Sequence, residues 1–239
     1  MTKKYELVQD DTVKTLDGRT LFRIRALVAI GQHVAAGDLG GYVESEKNLA
    51  QVFGNARVNG NAWVYGDAWV YGNARVYGDA WVNGNAQVYG NARVYGDAWV
   101  NGNAQVYGNA QVYGDAWVYG NAQVYGNAQV YGNARVYGNA RVYGDAWVNG
   151  NAQVYGNARV SPLNLSGLRW TVTIADREMV IGCQAHEIDR WWKFTDAQIA
   201  KMDQHALEFW NTHKATLQAL CTATGRPFAK VETPAEEAA

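Results

Sequence analysis

The hydrophobic positions of this 239-residue chain fall into one rhythm across its middle. Val recurs at 52, 58, 64 and every sixth residue to 160, each time two residues after an Ala. Residues two apart on an extended segment share a side, so Ala and Val face one way while their neighbours face the other. The residue between them is Gln, Arg or Trp (Gln87, Arg93, Trp99), and the one after Val is mostly Tyr or Asn (Tyr89, Asn101). Arg and Gln side chains cannot be stacked unpaired in a dry interior, so Ala and Val must point inward. A Gly-Asn or Gly-Asp pair follows, and both residue types tolerate the positive φ of a tight turn. Each six-residue phrase therefore predicts one short strand and one corner.

A longer period sets the number of corners. Trp63, Trp81, Trp99 and Trp117 are eighteen residues apart, and 81–98 differs from 99–116 only at Arg93 versus Gln111. Three phrases then make one triangular coil, and the predicted fold is mainly β: a parallel β-helix of about six coils. The pattern leaves its hand open. On one predicted face Trp63, Trp81, Trp99 and Trp117 stack, followed by Arg135 and Gln153. On the preceding face lie Arg57, Arg75 and Arg93, then Gln111, Gln129 and Trp147, with Asp79, Asp97 and Asp115 at the corner between. Asn83 and Asn101 replace Tyr beside Trp81 and Trp99, which predicts a shallow recess next to each indole. Trp, Tyr and Arg often anchor interfaces, so these columns are the candidate partner- or ligand-binding surface. Like residues on successive rungs also stabilise a solenoid by themselves, and copying of repeats produces columns without selection.

The flanks break the rhythm. Residues 1–49 predict a small β cap, with Val13–Leu16 and Leu21–Leu27 as a hairpin about Asp17-Gly18. Phe22, Ile24 and Ala26 alternate with Arg23 and Arg25, and 37–43 leads into the repeat at 50–160. An open β-helix end exposes strand edges and core, so a cover is required. Over 161–229, Arg169–Ile174 and Glu178–Gly182 predict a second hairpin. Thr195 to Gln198 then has the capping-box pattern that opens a helix. Ile199, Met202, Ala206, Phe209, His213, Leu217 and Leu220 draw one apolar stripe, ended by Gly225 and Pro227. Asp203 leaves one helix or two open. This helix would close the far end or mediate self-association, and 230–239 reads as a disordered tail.

Charge and composition narrow the function. A net charge of −1 gives no broad reason to expect nucleic acid or an anionic membrane. Two Cys, 183 and 221, exclude a disulfide scaffold and point to a cytoplasmic setting. Met1 to Glu6 has no apolar signal region, and no run approaches membrane-spanning length. Cys183 and His186 could supply two metal ligands, but nothing nearby completes a tetrahedral set. The Gly-Asp-Ala steps lack the nonapeptide pattern of calcium-binding solenoids. Neither a metal nor a cofactor is expected. Thirteen Tyr and six Trp in the repeat leave much apolar surface to cover, which predicts a homo-oligomer.

Ala98-Trp99-Val100 and its eighteen counterparts resemble the hexapeptide-repeat family, whose coils are left-handed. The following position departs from that family, having Tyr or Asn where Gly, Ala, Asp or Glu is usual. Leu21–Leu27, 37–49, Val180–His186 and Trp191-Trp192 are similar to segments of uncharacterised phage, prophage and enterobacterial proteins. The resemblance implies a left-handed coil, trimers as a common assembly, and acyl transfer as an activity to weigh. Such acyltransferases generally use a His base near a cleft, and base catalysis needs that group within hydrogen-bond reach of the acceptor. Here His33, His186, His205 and His213 all lie outside the repeat, and His213 falls on the apolar stripe. The reading favours a non-enzymatic phage accessory protein that binds a host protein or a small ligand, over a self-assembling structural protein or an acyltransferase. No catalytic residue is assigned.

Overall fold

A computed structural model describes residues 3–156, 158 and 162–226. The expected tail over 230–239 lies outside them, as do Val160 and Pro227. The repeat forms a β-solenoid of about six turns with three walls. The Trp wall stacks Trp63–Val64, Trp81–Val82, Trp99–Val100, Trp117–Val118, Arg135–Val136 and Gln153–Val154 in parallel. An Arg wall runs from Arg57–Val58 to Trp147–Val148, and a third from Leu49–Gly54 to Arg141–Val142. Every Ala from Ala56 to Ala158 and every Val from Val58 to Val154 is buried, most at 0% exposure. Full burial of a Val side chain contributes about 1.5–3 kcal/mol, so each phrase adds its own increment to a one-dimensional core.

The corners divide their labour. Each Gly adopts positive φ, such as Gly90 at 69° and Gly102 at 66°, whereas no described non-Gly residue does. The Asn partner of each Gly was expected to share that role. It acts instead through its side chain: Asn85 Nδ2 donates to Asn103 Oδ1 (3.0 Å), Asn103 to Asn121 (2.9 Å) and Asn121 to Asn139 (3.0 Å). A second amide ladder climbs Asn73, Asn91, Asn109 and Asn127. An added Cβ at Gly90 would lie 3.0 Å from the Gly108 nitrogen, so the rungs also require Gly for close approach.

The N-terminal cap is an extension of the Trp wall. Strand β1 (Tyr5–Lys14) pairs antiparallel with β2 (Thr20–Ala26), β2 antiparallel with β3 (Leu39–Val43), and β3 parallel with Trp63–Val64. Tyr42 and Val43 sit opposite Trp63 and Val64, so the coil's first rung begins within 39–43, ahead of residue 50. The expected turn at Asp17-Gly18 is present, with Gly18 at φ 85°. The expected alternation holds from Ile24 to Ala26, with Arg25 exposed between two buried residues, and fails before them. Leu21 is buried and Phe22 only partly so, because register shifts interrupt both pairings of β2.

Beyond the repeat the expected hairpin is the middle of a four-stranded antiparallel meander: Leu163–Leu165, Val172–Ile174, Glu178–Ile181 and Gln184–Glu187. Its turn residue Ala175 belongs to the solenoid core, so the meander closes the far end. The helices pack with the meander's own core. The apolar stripe is divided, with α1 (Ile188–Lys193) followed by α2 (Asp196–Ala200) and α3 (Ala206–Ala223). Thr195 caps α2 with the expected box, while Asp203 Oδ1 accepts from the His205 N–H in the break. Gly225 at φ 66° ends α3, with Arg226 N–H donating to the Cys221 carbonyl at 2.8 Å.

Glu178 lies at the seam between solenoid and meander. A Cβ at Gly156 would be 2.6 Å from its Oε1, and its Oε2 is buried without a hydrogen-bond partner among the described residues. Burial foremost, then Glu187 and Asp176, push its carboxyl above the usual carboxylate range. A raised folded-state value favours the protonated form. Its stabilisation is complete below the unfolded value of about 4.3 and is lost as pH rises through the folded one. Glu178→Gln is therefore expected to raise the melting temperature near neutral pH, with the gain shrinking towards about pH 4. Thermal melts across that range check it, and a pH-independent difference contradicts it.

Candidate functional site

The four indoles stand on the outer side of one wall, as expected. Centroids of Trp63, Trp81, Trp99 and Trp117 are separated by 4.8, 4.7 and 4.9 Å, with ring planes within 10° of parallel. These separations exceed the roughly 3.5–4.0 Å of optimal carbon–carbon contact, so the stack is offset, the geometry preferred by ring quadrupoles. Each inner indole has both faces covered and its edge outward, leaving Trp81 and Trp99 partly buried and Trp117 37% exposed. The Arg135 guanidinium sits 5.3 Å from the Trp117 ring and ends the stack with a cation–π contact.

The charged columns do not converge on the indoles. Arg57, Arg75 and Arg93 stack on the neighbouring wall. Burial, and then Arg75, draw the Arg57 guanidinium below its usual range, and its Nε is buried without a hydrogen-bond partner among the described residues. Asp79, Asp97 and Asp115 occupy successive rungs of the intervening corner, where Asn61 Nδ2 donates to Asp79 Oδ1 at 3.2 Å. A carboxylate accepts but cannot donate, so the amide ladder of the other corners does not continue through these three. Among the described residues, no ion pair joins these Arg and Asp columns. Each predicted column exists as a column, and the three together form a striped exterior.

The recess is the exception. Along the Trp wall the residues after Val are Tyr65, Asn83, Asn101, Tyr119, Tyr137 and Tyr155, and rings stack again from Tyr119 to Tyr137 at 5.0 Å. The two-rung gap at Asn83 and Asn101 opens a groove of about 720 Å³. It was expected beside the indoles, but none lines it. Its walls are instead the Gly-Asn corner and the N-terminal cap, because Glu44 and Tyr65 precede Asn83 and Asn101 in the same column.

Arg19 Nη1 donates to both Glu44 carboxylate oxygens (3.1 and 3.0 Å) while its Nε donates to Asp17 at 2.9 Å. Glu44 Oε2 also accepts from the Gly66 N–H at 2.7 Å, and Lys47 pairs with Asp67 at 2.7 Å. Asn83 Nδ2 donates to the Tyr65 hydroxyl at 2.5 Å. Sequence reasoning found Asn83 and Asn101 but missed the cap residues. The available signal was Gly41-Tyr42-Val43-Glu44, which imitates the small-x-Val-x phrase one coil before Ala62–Tyr65.

The remaining cysteines and histidines do not join this groove. Cys183 is exposed at the turn between the last two meander strands, and Cys221 is buried in α3. His186 lies edge-on to Trp191 and Phe194, at 5.3 and 4.9 Å, and burial foremost lowers its pKa. The His213 ring is 4.5 Å from Phe209. Among the described residues no helix is long and apolar enough to cross a membrane.

The repeat matches the family described as the YdcK beta solenoid repeat. The matched residues are 50–66, 68–84, 86–102, 104–120, 110–126, 128–144, 134–150 and 152–161. No curated protein matches the chain.

Proposed function

We propose that this β-solenoid is a non-enzymatic binding protein, an accessory factor of phage or prophage origin that engages a host protein or holds a small ligand in the bacterial cytoplasm. The observation that carries the reading is the near-parallel stack of Trp63, Trp81, Trp99 and Trp117, a rigid strip of indole edges on one wall. Such a strip binds with little loss of side-chain freedom, because the rings are already held. The Arg and Asp columns add support. Like charges one rung apart repel by about 1 kcal/mol even at the permittivity of water, whereas Asn or Gln at those sites would not. Left-handed coiling and kinship with hexapeptide-repeat proteins belong to the same reading, resting on the Ala-x-Val resemblance. The origin rests on the resemblance of the flanks to phage sequences, and the cytoplasmic location on the low cysteine content.

The triple variant Trp81→Gln, Trp99→Gln, Trp117→Gln tests it, since Gln occupies the same phrase position at Gln87, Gln105 and Gln111. The variant is expected to keep the β-solenoid circular-dichroism spectrum and to lose, by roughly tenfold or more, whatever partner the wild type retains from host lysate. Retention of every partner by the folded variant removes the proposal.

A second reading, self-assembly, is favoured by the placement of exposed indoles. Trp69, Trp117 and Trp147 are 44%, 37% and 58% exposed and stand on three different walls. A homo-oligomer, with a trimer as one form, would cover them. Sedimentation over a range of concentrations separates the readings: assembly that proceeds without a captured partner favours the structural role.

A further inference from the structure

We infer that the groove at Asn83 and Asn101 is a binding site for neutral, hydroxyl-rich ligands: the sugar rings of a short saccharide. Its size, about 720 Å³, falls within the roughly 300–1,000 Å³ of small-molecule sites. The charges around it are already spoken for. Arg19 is held between Asp17 and Glu44, Glu44 also accepts from the Gly66 N–H, and Lys47 is paired with Asp67. An anion would have to displace a carboxylate from Arg19 or Lys47, and a cation would have to share carboxylates that those two bases already occupy. A neutral ligand meets neither barrier.

The floor, by contrast, has unfilled hydrogen-bonding capacity. Among the described residues the Asn101 amide makes no hydrogen bond, and Asn83 uses only its Nδ2, towards Tyr65. Asn85 Nδ2 starts an amide ladder by donating to Asn103, but its Oδ1 has no donor on the preceding rung, where Asp67 stands. Three adjacent amides therefore present free acceptors, and Asn101 free donors, to one open space. Vicinal hydroxyls both donate and accept, which satisfies this set, whereas an apolar ligand would bury it unpaired. Tyr65 lines the same groove and adds a ring beside the amides.

The gap itself suggests the decisive variant. Tyr fills the same position at Tyr119 and Tyr137, so Asn83→Tyr with Asn101→Tyr completes the ring column and fills the groove. A second pair, Asn83→Ala with Asn101→Ala, keeps the space and removes the amides. The probes are maltose and cellobiose, the soluble polysaccharides glycogen and barley glucan, and inorganic phosphate and spermidine as ionic controls. The readouts are the side-chain amide resonances of Asn83 and Asn101, assigned by their loss in the variants, and affinity by calorimetry.

A sugar is expected to shift those resonances, and both double variants to weaken binding by roughly tenfold or more. Response to the disaccharides identifies a free saccharide as the ligand, and response to the polymers alone identifies a polysaccharide surface. The inference is overturned if no sugar moves the amides, if phosphate or spermidine moves them instead, or if affinity survives in both variants. Partner capture by the indole wall and movement of the Asn83 and Asn101 amides are separate readouts, so failure of the indole-wall reading leaves this one standing.

Discussion

Val100→Asp is expected to unfold the middle of the solenoid while leaving the N-terminal cap comparatively intact. Val100 is fully buried, stacked between Val82 and Val118 and flanked along the chain by Ala98. The substitution forfeits about 1.5–3 kcal/mol of apolar burial. It also places a carboxylate where the core offers only methyl groups, and an unpaired buried charge costs about 3–5 kcal/mol more. Together these approach the whole stability of a typical domain, about 5–15 kcal/mol. Each coil contacts only the coils before and after it, so the damage should stay local at first and divide the melt into separate transitions. Hydrogen exchange resolved by segment should show early opening around rungs 81–118. Trp99→Gln is the control, altering the adjacent outward position with a change well below that of Val100→Asp. A Val100→Asp protein that melts as one unit at the wild-type midpoint contradicts the inward assignment of Val.

The second large effect is expected at Tyr5, which ties the outermost strand to the first coil. Its ring is 1% exposed, and its hydroxyl donates towards the carbonyls of Leu49 (2.7 Å) and Glu46 (2.9 Å). The Gln51 side chain reinforces the joint, accepting from the Lys4 and Tyr5 N–H groups and donating to the Tyr5 carbonyl. Burial, and then Glu46, raise the Tyr5 pKa, so the hydroxyl keeps its proton throughout the accessible range. Tyr5→Phe should cost about 1–3 kcal/mol by leaving a buried carbonyl unmet, and Tyr5→Ala about 3–5 kcal/mol by emptying the site. With the cap released, the leading edge of the coil becomes a template for pairing with other chains. Chemical denaturation should rank wild type above Phe above Ala, and light scattering should detect association in the Ala variant. Equal midpoints would show that the cap does not depend on this residue.

The repeat was legible because its two periods are independent and agree. The Ala-x-Val spacing specifies which side is dry, and the Trp63-to-Trp117 interval specifies how many corners make a turn. Neither needs knowledge of distant residues. The cap and meander lacked such redundancy. Asp10 and Asp11 sit within β1 where its pairing with β2 shifts, so no alternation marks the strand before Val13. The strands Leu163–Leu165 and Gln184–Glu187 are too short to establish a period, and α1 spans six residues, fewer than two turns.

The groove was half visible for a related reason. Asn83 and Asn101 stand out as departures from Tyr within the repeat. Asp17, Arg19, Glu44 and Lys47 reach them only because β3 occupies the place of a preceding rung. Once Val43 is aligned with Val64, Glu44 falls over Tyr65 and the rest follows. The columns themselves were placed correctly, and their separation on different walls follows from the triangular cross-section.

The same triangular stacking governs how such a gene can lengthen or shorten. Gain or loss of eighteen residues adds or removes a whole turn and returns the C-terminal module to its original azimuth, merely displaced along the axis. Six residues would swing that module through a third of a revolution and shuffle every downstream stripe onto a new side. Trp147, standing on the Arg wall outside the register of Trp63, Trp81, Trp99 and Trp117, is what one such slip would leave behind.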